Sequence, residues 1–133
     1  MSEFTLITGQ VWPQVAYGTT RRDMPGVSQG PFAGFNLGLH CGDQPEHAQA
    51  NRQRLTEFLP HAPIWLNQVH GVAVYDADSD ADQDKTADAA VTTRADRVLA
   101  IMTADCLPVV LADTLGTVIG AAHAGWRGLC AGV

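Results

Sequence analysis

The chain has 133 residues, a formal net charge of -6 and a pI near 5.1, an acidic balance that repels nucleic-acid backbones and anionic membrane surfaces alike. A hydrophobic content of 46% is enough for a buried core and excludes wholesale disorder, and the length suits one domain, residues 1–133. Three irregularly spaced cysteines, an acidic rather than basic N-terminus and the lack of any 18-residue apolar run exclude a disulfide framework, a secretory signal and a membrane span, which points to the cytoplasm.

In chain order, Phe4 to Ile7 and Val11 to Tyr17 read as short strands around Gly9, with Pro13 restricting the second to an edge. Met24 to Gly34 is rich in Pro and Gly and reads as a surface loop. A helix follows, with Asp43 as N-cap, Glu46 as its capping-box partner and Pro45 in the first turn; Leu55, Phe58 and Leu59 give it an apolar face, and Pro60 stops it. Its polar middle, Ala48 to Arg54, is expected on the surface. Pro63 to Val69 and Gly71 to Tyr75 read as strands with His70 at the bend between them. Asp76 to Asp84 is an acidic loop with nothing able to pack. An EF-hand count from Asp76 puts Ala81 at the sixth-position glycine and Ala87 at the twelfth-position glutamate, so calcium is not supported.

Ala87 to Thr92 reads as a short strand or turn, and Val98 to Met102 as a buried strand leading into Thr103-Ala-Asp-Cys106. The apolar runs Leu107 to Ala112 and Thr117 to Ala122 flank Asp113-Thr-Leu-Gly116, the pattern of a hairpin with a four-residue loop. Symmetry about that loop would set Cys106 directly opposite His123, roughly 4.5 to 5.5 Å apart at Cα. Gly125-Trp-Arg-Gly128 then opens a short helix.

The chemistry concentrates at strand ends. His70, Cys106 and His123 form a candidate three-ligand zinc set with one open position, although spacings of 36 and 17 residues make no local ligand motif. Two other readings of the same residues stand beside it: a small buried cysteine with two histidine strand caps, or a metal-free cysteine hydrolase. In the hydrolase Cys106 is the nucleophile, His123 the base and Asp105 or Asp88 the orienter. Arg127 at a helix start suits an anion, or is a plain surface arginine. Asn36 suits a polar ligand group or a loop cap, and Trp126 suits stacking or anchoring. His47 and His61 read as surface residues; His40 has no assigned place.

The blocks N-L-G-L-H-C-G-D (Asn36 to Asp43), N-Q-V-H-G (Asn67 to Gly71), A-D-A-A-V-T (Ala87 to Thr92), T-A-D-C-L-P-V-V-L-A-D (Thr103 to Asp113) and A-A-H-A-G-W-R-G-L (Ala121 to Leu129) resemble the YfiH or laccase-domain family, once called multicopper polyphenol oxidases. The resemblance implies an α/β protein with mixed sheets in a four-layer α/β/β/α sandwich. It places zinc on His70, Cys106 and His123, and implies substrate contacts at Asn36, Asp88 and Arg127. The implied chemistry is phosphorolysis of purine nucleosides, including methylthioadenosine, by phosphate attack at the ribose C1′, together with hydrolytic deamination of adenosine at C6. Some members are linked instead to peptidoglycan-precursor editing. Laccase chemistry requires about ten histidines, many in His-X-His pairs, and this chain has five and no such pair; a single copper ion still suits a Cys/His set. Family members are usually nearly twice as long, so the resemblance implies the N-terminal portion of such a domain, with walls supplied by further chain or by another copy in a homo-oligomer.

Overall fold

A computed structural model of the protein describes residues 4–79 and 84–133. These residues form a mixed α/β structure with two sheets and two α-helices, α1 (Pro45–Phe58) and α2 (Trp126–Ala131). They divide into two compact units, one comprising the chain up to Trp12 with Ala16–Pro60, the other Pro13–Val15 with His61–Val133. No helix among the described residues is long and apolar enough to cross a membrane.

The first unit contains α1 and a loop-rich segment. The strands expected over Phe4 to Ile7 and Val11 to Tyr17 do not form a ladder; what remains is isolated bridging, including the antiparallel bridge Ile7 to Thr19, closed by two backbone hydrogen bonds of 2.8 Å. Phe4 packs instead through its ring, 5.1 Å from Phe35 and 4.9 Å from Phe58 between centroids. Helix α1 appears where the sequence places it, but its N-cap is Gln44 and makes no side-chain capping bond, so the capping box is not built. Asp43 accepts hydrogen bonds from the Ser28 hydroxyl, the Asn36 amide and the Gln44 N–H, which join the loop to the helix start.

The middle of α1 is exposed only in part: Gln49, Ala50, Gln53 and Arg54 lie on the surface as expected, whereas Asn51 and Arg52 are buried. Asn51 is 1% exposed; its Oδ1 accepts from Val27 N–H (2.9 Å), and its Nδ2 donates to Ser28 Oγ, Gly34 O and Asn36 O. Arg52 Nε donates to Leu37 O at 2.7 Å. A loop with no ladder of its own satisfies its backbone through helix side chains, and this need draws polar residues inward. The Met24 to Gly34 loop is accordingly anchored, with Met24 and Ser28 buried.

The second unit holds both sheets. Strands β1 (Pro63–Ile64) and β4 (Val98–Leu99) pair in parallel. Strands β2 (Val74–Asp76), β3 (Ala89–Thr92), β5 (Leu107–Ala112) and β6 (Ile119–Ala124) form a sheet of order β2-β3-β6-β5, parallel only between β2 and β3. Ladders over Pro63 to Val69 and Gly71 to Tyr75 are therefore shorter than expected, and the Val98 to Met102 segment is half-buried, not buried. Leu66, Ala87 and Ala90 form the core, with Ile64, Tyr75, Leu99 and Ile101 packed around them. The acidic stretch does pack in part. Ala77 is buried, and Asp78 accepts hydrogen bonds from Thr92 and Thr93. Residues 80–83 of that stretch, and with them position 81 of the EF-hand count, lie outside the described residues.

The hairpin forms, but with a different register. Leu107 faces Ala124 and Pro108 faces His123, so paired numbers sum to 231 rather than 229. The cause is Asp113. Its Oδ1 accepts from Thr117 N–H (2.6 Å) and Val118 N–H (3.0 Å), and its other oxygen accepts from the Thr117 hydroxyl. The loop thereby absorbs Thr117 and Val118, and β6 starts at Ile119. β5 is left as an edge strand with Leu107, Val110 and Leu111 exposed; Pro108, which has no N–H to donate, is tolerated at such an edge.

The Thr117 hydroxyl first, then the Val118 amide, outweigh desolvation and hold the Asp113 carboxyl below its ordinary range. A depressed folded value means that this stabilisation is present above the unfolded value and is lost as pH falls through the lower, folded one. The protection of the Thr117 and Val118 amides, measured against their intrinsic exchange rates at each pH, is therefore expected to fall on acidification through that window in the wild type. In Asp113→Ala, which removes the acceptor oxygen shared by both amides, protection is expected to be low already at neutral pH and to show no such step.

Candidate metal centre

Three segments of the second unit converge at the open end of the hairpin. His70 comes from the bend before β2, Cys106 from the residue before β5, and His123 from β6. Their ligand atoms all lie within 4.8 Å of one another. A shift of two in the register sum preserves the side to which each residue points, because side chains alternate with period two. Cys106 and His123 therefore stay on one face, now as diagonal neighbours. Gly125 would lie opposite Cys106 if the register ran one step further, and a Cβ there would sit 3.0 Å from Cys106 Sγ and 3.4 Å from His70 Cδ2. The space in which the thiol and imidazole meet is the space that a side chain at position 125 would fill.

Asp88, fully buried in the segment leading into β3, organises the two histidines. Its Oδ1 accepts the amides of Val69 and Gly71, and its Oδ2 accepts the His70 amide, each at 2.9 Å. Oδ2 also lies 2.7 Å from His123 Nδ1. His70 has φ +62°, a left-handed conformation uncommon for a residue with a side chain, and the three amides closed on one carboxylate hold it there. Burial works against the charge of Asp88. The hydrogen bond from His123 and those from the amides of Val69, Gly71 and His70 outweigh it and hold the carboxyl below its usual range. The His70 and His123 rings meet edge-on with centroids 4.9 Å apart.

Cys106 has different surroundings. Desolvation first, and then the adjacent Asp105 carboxylate, push its thiol above the ordinary value; the thiol's hydrogen bond goes to Asp105 Oδ1 at 3.6 Å. A metal-free nucleophile needs the opposite shift, whereas a bound cation would favour the thiolate. Two histidines and a cysteine that meet from separate segments, one imidazole anchored through Nδ1, fit a first-row metal such as zinc.

The sequence reading brings His70, Cys106 and His123 together, and the structure does so too. The Asp88 carboxylate touches the His70 amide and the His123 ring, not Cys106. Arg127 and Trp126 are exposed on α2, the guanidinium 5.2 Å above the indole centroid. Asn36 belongs to the first unit, where it caps its own loop: Nδ2 donates to Gly38 O and Asp43, and Oδ1 accepts from Gly38 N–H. His40 and His61 are exposed and His47 is half-buried, 4.0 Å from Asp43.

Two contributors escape a search for reactive side chains. Gln68 pairs with the Met102 peptide, Nε2 to O and Oε1 to N–H at 2.7 Å each, and so ties the Cys106-bearing segment to the His70 bend. Gly128 lets α2 approach that bend, since a Cβ would lie 3.1 Å from Gly71 O. The Gln68 signal is its place next to Val69-His70; that Gly128 serves close packing rather than a turn is not marked in its local sequence.

The family model described as multi-copper polyphenol oxidoreductase laccase matches residues 16–133. The chain belongs to this family. It is 48% identical over 128 residues to the purine nucleoside phosphorylase YfiH of Escherichia coli K12, covering 92% of this chain and 52% of that protein. With a purine nucleoside phosphorylase of Pseudomonas aeruginosa it shares 52% identity over 108 residues, 81% of this chain and 44% of the relative. A crystal structure of a Neisseria meningitidis protein superposes with a TM-score of 0.79 at 43% identity, over 85% of this chain and 46% of that one. One of YfiH from Bacillus licheniformis gives 0.72 at 32% identity, over 80% and 45%. The chain thus spans about half the length of the relatives it matches, and it shares the mixed α/β architecture of these structures.

Gly125→Ala is expected to weaken zinc binding about tenfold or more, since the added methyl enters the space of Cys106 Sγ. Chelator competition on wild type and variant measures the effect, with circular dichroism confirming that the fold is intact.

Proposed function

We propose that this chain carries the metal-centred active site of a purine nucleoside phosphorylase, with zinc held by His70, Cys106 and His123. The observation that carries the reading is the convergence of these three ligand atoms within 4.8 Å, with His123 already anchored by Asp88 through its other ring nitrogen. Phosphorylase names on relatives near 50% identity support the substrate class, purine nucleosides with phosphate. Zinc, when bound, supplies a Lewis acid beside the substrate. The same set accepts copper, and zinc is preferred here because the thiolate and two imidazoles suit its closed-shell, tetrahedral chemistry.

The finer activities follow from the same reading. Adenosine, inosine, guanosine and methylthioadenosine are substrates for phosphorolysis, and adenosine is also deaminated. Arg127, exposed beside Trp126, is the chain's own candidate for contacting phosphate, and Asn36 for a polar group of the nucleoside. The four-layer α/β/β/α sandwich describes the complete family domain, of which this chain supplies the ligand-bearing part. The exposed apolar edge of β5 is where additional polypeptide or a second copy would close the structure. Three free cysteines fit a reducing cytoplasm.

Chromatographic analysis of adenosine incubated with zinc-loaded protein tests the reading. Phosphate-dependent adenine and phosphate-independent inosine are the expected products, and Cys106→Ala is expected to lower both by roughly 100-fold or more. Undiminished turnover in Cys106→Ala, or turnover insensitive to metal removal, would overturn it.

A further inference from the structure

We propose that Asp88 is the positioning residue of the metal centre, one carboxylate that both selects the tautomer of His123 and fixes the backbone from which His70 projects. The inference rests on the metal-binding reading above and extends it to a group outside the ligand set.

A carboxylate only accepts hydrogen bonds, so the proton in the 2.7 Å contact between His123 and Asp88 belongs to Nδ1. Neutral His123 then has its lone pair on Nε2, the nitrogen left to face a metal. The backbone fixes the same pair, since His123 N–H donates to Asp88 O at 2.7 Å and Asp88 N–H donates to Ala73 O at 3.2 Å. With Asp88 fully buried, water offers no substitute acceptor.

The same two oxygens accept three successive amides, from Val69, His70 and Gly71. Closure of this turn holds His70 at φ +62° and aims its ring at His123. Asp88 therefore couples two ligands from separate segments.

The arrangement tolerates no amide in place of the acid. Asparagine offers one acceptor atom where four donors converge. With its NH2 at the Oδ2 position it would meet the His70 N–H head-on and donate to His123 Nδ1, which moves the imidazole proton to Nε2. With the amide flipped, the NH2 faces the amides of Val69 and Gly71.

Two measurements on the 133-residue chain test the proposal. Imidazole ¹⁵N NMR of the metal-free protein, at a pH where His123 is neutral, reads the tautomer directly: Nδ1–H is expected in the wild type and Nε2–H in Asp88→Asn. Cobalt(II) titration, followed through the thiolate charge-transfer band, is expected to show about 10- to 100-fold weaker binding in Asp88→Asn. An Nε2–H His123 in the wild type overturns the proposal, and this readout stands even where Asp88→Asn fails to fold. An unchanged tautomer together with cobalt affinity within about twofold in a folded Asp88→Asn overturns it as well. If the wild type binds no cobalt but shows the expected tautomer and its switch in Asp88→Asn, Asp88's hold on His123 is supported and the metal reading alone fails.

Discussion

The site depends on one buried carboxylate. Asp88 carries a charge where no solvent reaches it, and such a charge persists only when it is fully hydrogen-bonded. The donors that satisfy it are the amides of the His70 bend and the ring of His123. The need to compensate a buried charge thus fixes the geometry around two metal-ligand candidates. Cys106 joins them through independent contacts, the Gln68 clamp on Met102 and the space left at Gly125.

Much of this arrangement is legible in the sequence, for identifiable reasons. Side-chain alternation puts Cys106 and His123 on one face under either hairpin register, so the pairing survives an error of two in the register sum. The glycine after His70 marks a bend, and Pro45 and Pro60 bracket α1. What the sequence hides is the side chain that substitutes for secondary structure. Asp113 lengthens the hairpin loop, Asn51 and Arg52 turn the polar stripe of α1 inward, and Asp43 serves a loop instead of capping a helix. Each is a polar residue whose partners are backbone groups distant in sequence, and local patterns carry no record of such pairings. Asp88 is legible only in part: the sequence offers it, beside Asp105, as the group that orients His123, but only the fold shows that the same carboxylate also accepts the amides of the His70 bend.

The name of the family and the chemistry of the residues point in different directions. A laccase centre requires several coppers and a correspondingly large set of histidines, whereas this chain has five histidines, of which His70 and His123 join the cluster. A single cysteine and two histidines suit one metal ion. That donor set is compatible with the phosphorylase names of the relatives. Leu107, Val110 and Leu111 leave the edge strand β5 with apolar side chains in solvent.

In the proposed mononuclear centre, one sulfur and two imidazoles bind one ion. X-ray absorption at the zinc edge of the loaded chain measures this directly. One sulfur at about 2.3 Å and two nitrogen neighbours at about 2.0–2.1 Å, with imidazole outer-shell scattering, are predicted. A first shell of oxygen and nitrogen without sulfur would contradict it.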